Sequence, residues 1–503
     1  MALYGALDHT SSSATLLLST ILLLTVRFVW NNLRSYQLKH QGKCQPPPSV
    51  PQKDPFFGLD IIYSRFTENF ENRTRDTIAR DFFSTYGHTF QSKPFGVPEI
   101  VTESPELVKA IYGTDFESFG VGPSRAFGLR PLVRDGGLMT TDGPIWKAHR
   151  ATLNPIFSKA VGRQEPFDRH IERLLELIPK DGSTIDLQPL FDRLALDSAT
   201  EILFGESTLT LIPNPPADAV KFLDAFNYLL RGVGIRMVLP SYDFFSRDPK
   251  FWSSCKDCQD FVDRILDTVM EEASNFPQVQ KYSIAHELAK IMDNRVQIRD
   301  QLLGLFLPVH DAIGTPLTNI FFMLARNPAA WAKLRQEING IGSAKLTPKL
   351  LKSLTYLNCV INETLRLYPA ISANERIALS DTILPSGGGP DGTYPVFVEK
   401  GVKVVLWFST MARRKDLWGE DAAEWRPERW QNAKPDRWIN LLFGAGPRSC
   451  PGSELGLIQI GMTMVRLAQK YQILENHDPV EEFIDRWRVT TVSKNGAKVG
   501  LRV

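Results

Sequence analysis

Phe443-Gly444-Ala445-Gly446-Pro447-Arg448-Ser449-Cys450-Pro451-Gly452 sets one cysteine in a tight, glycine-lined loop, two residues after an arginine, and an apolar helical run from Leu455 to Leu467 follows at once. A thiolate in such a loop is desolvated, held by backbone donors and placed beside a helix N-terminus that stabilises negative charge. That setting suits a thiolate bound to iron better than a free nucleophile or a disulfide. Glycine lets the backbone approach a flat ligand, and Arg448 is placed to pair with a carboxylate of that ligand.

Phe443, Gly446, Arg448, Cys450 and Gly452 together resemble the Phe-x-x-Gly-x-Arg-x-Cys-x-Gly signature of the cytochrome P450 family. A buried core cysteine before a helix is the plainer reading, but other pieces of the family pattern recur in order. The resemblance implies a mostly α fold with a minor β-sheet. It implies haem b as cofactor with Cys450 as the iron ligand, Phe443, Gly446, Arg448 and Gly452 around the haem, and NADPH-cytochrome P450 reductase as the electron-donating partner.

Glu363-Thr-Leu-Arg366 puts a carboxylate and a guanidinium on one helix face, a pair worth only a few tenths of a kcal/mol when exposed. Pro427-Glu428-Arg429-Trp430 follows before the cysteine loop, and the resemblance implies that Glu363, Arg366 and Arg429 lock together as a brace for that loop. Trp146-Lys-Ala-His-Arg150 looks like the family's Trp-x-x-x-Arg, with indole and guanidinium one helical turn apart. Both types suit a haem propionate, one as donor and one as charge partner. Arg376, in Asn374-Glu-Arg-Ile-Ala-Leu, matches a further propionate arginine, whereas His149 reads as an ordinary histidine and not as an iron ligand.

The 503 residues carry a net charge of +2 and are 43% hydrophobic, a globular balance without the concentrated basic face of a nucleic-acid binder. No long linker or charge block follows residue 60, so one large catalytic domain over residues 54–503 is expected. Five scattered cysteines do not make a secreted disulfide framework, and Cys255 and Cys258, a CxxC without a second ligand pair, read as structural positions on an amphipathic helix. Residues 14–30 form an apolar run slightly short of the roughly 20 residues of a full span, which Phe28, Val29 and Trp30 lengthen and within which Arg27 snorkels. No basic start or small-residue cleavage site accompanies it, and Arg34, Lys39 and Lys43 follow. The expectation is an uncleaved anchor in the endoplasmic-reticulum membrane, residues 1–13 luminal and the catalytic body cytoplasmic, joined by a basic and proline-rich hinge over residues 31–53.

The distal helix departs from the resembled family. Typical members carry small residues, an acid and then a threonine above the iron; here the order is Pro308-Val309-His310-Asp311-Ala312-Ile313. The acid remains as Asp311, a proton relay by resemblance, and the hydroxyl is lost at Ala312. Pro308 and Pro316 each remove a helix hydrogen bond at about 3 kcal/mol or more, with Gly304 and Gly314 placed to absorb distortion and Thr315 as a substitute hydroxyl. Two readings stand: ordinary monooxygenation with a drifted pocket wall, or altered chemistry such as isomerisation, dehydration, desaturation or peroxide use. A non-catalytic haem-binding protein is a third. Asn374 to Gly401 looks like the fungal alkane and fatty-acid hydroxylase branch, which implies an apolar small-molecule substrate, fatty-acid-like or an intermediate of fungal secondary metabolism.

Overall fold

The computed structural model describes residues 33–54, 56, 58–60, 63, 75–134, 136–238, 248–275, 282–487 and 490–503, with five isolated positions before residue 27 and, at some helix and strand positions including His310 and Asp311, the backbone alone. The body is mostly helical with small sheets. In chain order, the helices that position the site are α1 (Arg75–Tyr86), α2 (Gly122–Val133), α3 (Gly143–Ala160), α4 (Leu187–Phe204), α5 (Ala217–Val238), α6 (Pro249–Asn275), α7 (Arg295–Arg326), α8 (Thr355–Leu367) and α9 (Ser453–Lys470).

The apolar pattern decides how they pack. The C-terminal half of α7, with Leu317, Ile320 and Phe321, is buried against Phe191 and Leu194 of α4 and against residues of α8 and α9. Its N-terminal half joins a second core in which the Phe306 ring lies 4.7 Å from Phe226 and 5.2 Å from Phe222. Each fully buried side chain of this size contributes roughly 1.5–3 kcal/mol. Phe306 and Ile313, 0% and 2% exposed, are core residues and not ligand-facing ones. Neither proline interrupts α7, which is helical from Arg295 to Arg326. Gly314 serves packing: a Cβ there would stand 3.2 Å from the Phe191 carbonyl oxygen and 2.6 Å from Asp192 Oδ1, so its smallness lets α4 and α7 approach closely.

The main sheet has five strands, β1 (Thr89–Ser92), β2 (Glu99–Thr102), β3 (Phe119–Gly120), β5 (Ala373–Ala378) and β8 (Lys403–Trp407), in the order β1-β2-β8-β5-β3. Only the β2–β8 pair is parallel among these. Pairing of Gly120 with Ile377 brings the start of α2 beside β5. The glycine-rich stretch expected to be a hairpin joins β6 (Thr382–Gly388) to β7 (Tyr394–Val398). The proline-rich hinge is docked and not a free linker: Gln91 N–H donates to Pro48, Val50 N–H to Gln91, and Gly389 N–H to Pro46.

A turn does fall at Asn495-Gly496, but the strands around it belong to different sheets. Its upstream strand β11 (Thr491–Ser493) pairs with β10 (Asp485–Trp487), and β12 (Lys498–Arg502) lies between β4 (Asp181–Asp186) and β9 (Ile473–Asn476). Asp186 makes the connection, accepting from Ala497 N–H at 2.9 Å and capping α4 through Gln188 N–H at 3.1 Å. Cys255 and Cys258 are buried, and burial pushes the Cys255 thiol up to about 12 and raises that of Cys258 as well. Both are inert packing groups at neutral pH. Asp186→Ala removes a cap and a turn anchor together and is expected to cost about 1–2 kcal/mol, read as a lower unfolding midpoint in thermal or denaturant melts.

Candidate active site

The cysteine loop closes on itself through Cys450 N–H to Phe443 O at 2.9 Å and Ser449 N–H to Gly446 O at 3.1 Å. Gly446 has φ +69°, and a Cβ there would lie 1.8 Å from the Tyr112 carbonyl oxygen, so no side chain fits. Gly452, at φ −95°, has an ordinary backbone conformation and stands at the N-cap of α9. Phe443 is half-buried against the core beneath the loop. Cys450 is the exposed one of the five cysteines, yet surrounding protein desolvates its thiol and raises its pKa, against the pull of the Gly452 N–H and the Arg150 charge. Accessibility combined with desolvation places the sulfur in a protein-walled recess.

Four arginines gather near it. Arg448 lies over the Trp146 ring at 4.3 Å and donates to Asp142 Oδ1 at 2.6 Å and to Thr141 O at 2.8 Å. Burial lowers its pKa to about 10; Asp142 opposes that fall, and Arg376, Arg125 and Arg150 add to it. Arg376 lies over the Tyr112 ring at 4.6 Å and donates to Glu375 O. Arg125, on α2, is lowered first by burial and then by Arg376. Arg150 is lowered by burial and raised by Cys450.

Those guanidiniums face two carboxylates, Asp142 and Glu375, and Glu375 also serves Lys403. Among the described residues four guanidiniums thus meet two carboxylates, and the Nε atoms of Arg376 and Arg448 are buried without a partner there. A buried, uncompensated charge is costly unless a counter-charge arrives. A flat ligand with two carboxylates and a soft-ligand iron, which is haem, matches this donor set in both charge and chemistry. Sequence reasoning named Arg150, Arg376, Arg448 and Trp146, and it missed Arg125, Asp142 and Tyr112. Asp142 had a legible position, one residue before the Gly-Pro start of α3; Arg125 reaches the cluster only through the β3–β5 pairing.

Glu363, Arg366 and Arg429 meet in one buried network. Arg366 binds Glu363 through two N–H···O bonds of 2.9 Å and also donates to the carbonyls of Ala412 and Ala422. Arg429 reaches Glu363 at 3.3 Å and Asp421 at 2.7 Å. The Trp430 indole and Arg426 N–H, to which the sequence reading gave no role, donate to the same Glu363 carboxylate at 2.9 Å. Burial alone would raise the Glu363 pKa, but Arg366 and the other donors outweigh it and hold the carboxyl below its ordinary range.

On α7, every described side chain from residue 298 to 325 is buried except Pro308, Val309 and Ala312, three positions on one face. The accessible Ala312 offers no hydroxyl. Thr315 is 2% exposed, so it does not open onto that face as a substitute. The Asp311 side chain, expected to relay protons, lies outside the described residues. His149 contacts the Gln301 amide, and burial lowers its pKa.

A cytochrome P450 family model matches residues 48–499. The chain is 34% identical over 493 residues to the cytochrome P450 monooxygenase FPY7 of Fusarium mangiferae, covering 94% of each chain. It is 35% identical over 487 residues to the cytochrome P450 monooxygenase himC of Aspergillus japonicus, covering 95% of this chain and 87% of that one. Cytochrome P450 52A13 of Debaryomyces hansenii is 34% identical over 477 residues, with 91% of each chain covered. The chain belongs to the cytochrome P450 family and is an enzyme of the oxidoreductase class.

Glu363→Ala leaves Arg366 and Arg429 buried without their shared counter-charge and is expected to cost about 3–5 kcal/mol. Because the folded-state pKa of Glu363 is depressed, its contribution is present above the unfolded-chain value near ~4.3 and is lost as pH falls through the lower folded value. Equilibrium unfolding across that acid range checks both points: Glu363→Gln should flatten this part of the pH dependence.

Proposed function

We propose that the protein is a haem-thiolate monooxygenase that oxidises an apolar small molecule, fatty-acid-like or an intermediate of fungal secondary metabolism. The observation that carries this reading is Cys450, accessible yet desolvated, in a closed loop beside four arginines that share two carboxylates among the described residues. Cys450 would hold the iron of haem b; Arg448, Arg376, Arg150 and Trp146 would hold its propionates; Phe443, Gly446 and Gly452 would shape the loop. When bound, haem b supplies activation of dioxygen with electrons from NADPH-cytochrome P450 reductase.

The chain's own residues do the rest. Glu363, Arg366 and Arg429 keep the segment that leads to the loop in place. Among the described side chains of this stretch the accessible ones, Pro308, Val309 and Ala312, are all apolar, which suits an apolar substrate. Asp311 would hold and move a proton at its carboxylate. The fungal relatives and the resemblance to the alkane and fatty-acid branch support the substrate class. Among the described residues no helix is long and apolar enough to cross a membrane, and most of residues 14–30 lie outside them. Their apolar run and the basic residues after it support an uncleaved endoplasmic-reticulum anchor with the body in the cytoplasm.

Ala312 favours a second reading on the same fold. With no hydroxyl on the accessible face and Thr315 buried, oxygen activation would rely on a substrate hydroxyl or water, or the enzyme would run isomerisation, dehydration, desaturation or peroxide-dependent chemistry.

Full-length protein with carbon monoxide and dithionite is expected to show the thiolate Soret band, and Cys450→Ala to lose it; a band that survives the substitution sinks the ligand assignment. Mass spectrometry of candidate lipids and pathway intermediates, with and without NADPH and reductase, should show a product gaining one oxygen only with both. Ala312→Thr is expected to raise product formed per NADPH consumed. An unchanged ratio makes the lost hydroxyl incidental, and product formed without NADPH selects the second reading.

A further inference from the structure

The cluster beside Cys450 contains one neutral donor with nothing to donate to. Tyr112 is 3% exposed; the Asn374 amide approaches its oxygen, but its hydroxyl proton has no acceptor within hydrogen-bond distance among the described residues. It belongs to the turn (Ala110–Thr114) whose backbone meets the cysteine loop, since the Tyr112 carbonyl is the group that excludes a side chain at Gly446. The phenol and the loop are therefore fixed to one another. Burial raises the Tyr112 pKa, and Arg376 and Arg125 only partly reverse this. The group stays protonated and remains a donor at physiological pH.

Asn374 is the second element. It stands beside the phenol, but its Oδ1 is filled by Glu375 N–H at 2.8 Å, Arg125 Nη2 at 3.0 Å and Arg376 Nη1 at 3.3 Å. One amide oxygen thus bridges two guanidiniums from different elements, α2 and β5, and holds them near each other despite their repulsion. Two cations and a phenol O–H converge beside carboxylates, Glu375 and Asp142, that the neighbouring arginines and Lys403 already share, which suits a further carboxylate.

Resting on the haem reading above, we propose that Tyr112 donates its hydroxyl proton in a hydrogen bond to one haem propionate, alongside Arg125 and Arg376, and that Asn374 is the positioning residue that holds this pair. Tyr112 then fastens haem from the same turn that shapes the cysteine loop. Loss of the bond shows in haem retention rather than in folding, because phenylalanine keeps the packing of the ring.

The test compares natural haem with its dimethyl ester, whose propionates carry no charge. Full-length protein is reconstituted with each, and haem transfer to excess apomyoglobin is timed. Tyr112→Phe should release natural haem about tenfold faster, as expected for losing one charge-assisted hydrogen bond, and should release the ester at the wild-type rate. Asn374→Ala should follow the same pattern. Asn374→Asp keeps the bridging oxygen but sets a negative charge against the propionate, so it should hasten release of natural haem while leaving the melting temperature unchanged. Equal acceleration with both haems, or none with either, overturns the assignment. Should the wild-type protein give no thiolate Soret band, the haem reading fails first; a normal band with unaltered release from Tyr112→Phe defeats only the present proposal.

Discussion

The Glu363 carboxylate accepts from Arg366, Arg429, the Trp430 indole and the Arg426 N–H, all within the protein interior. Five N–H donors from these four residues share its two oxygens, which is what makes a buried charge tolerable. Through Arg366 the same carboxylate is tied to the carbonyls of Ala412 and Ala422, and through Arg429 to Asp421 and Trp418. One side chain of α8 therefore organises an irregular segment that has little regular hydrogen bonding of its own. The cysteine loop begins at Phe443, soon after that segment.

The recess beside the loop is built differently. Around Glu363 the arginines Arg366, Arg426 and Arg429 are all in direct ion pairs with Glu363 or Asp421, whereas among the described residues the four arginines near Cys450 share two carboxylates. Asp142 limits the cost by accepting from Arg448 and from the Val121 and Gly122 N–H groups at 3.0 and 3.2 Å, which links α2, α3 and the loop.

Much of this was legible in the chain. The spacing around Cys450, the Glu363–Arg366 pair and the Trp146–Arg150 turn are local patterns, and local patterns survive translation from sequence to structure. What escaped were contacts that need long-range pairing. Arg125 joins the cluster only because β3 pairs with β5, and Trp430 meets Glu363 only after the intervening segment folds back. The sheet to which each strand beside Gly496 belongs is not readable from the chain for a related reason: a short turn does not reveal that Asp186, far upstream, anchors it. Pro308 and Pro316 each forgo a helix hydrogen bond, and burial of α7 against α4, α8 and α9 outweighs that local penalty of a few kcal/mol.

That helix still lacks two amide protons. The carbonyls of Gly304 and Ala312 lose the donor a regular helix would supply, about two turns apart, and the only accessible face of the described stretch lies between them. Local opening costs least where backbone bonds are fewest. The two elements therefore differ in stiffness: the segment before the cysteine loop is clamped by a carboxylate held by several donors, and α7 is the more compliant where its backbone bonds are missing.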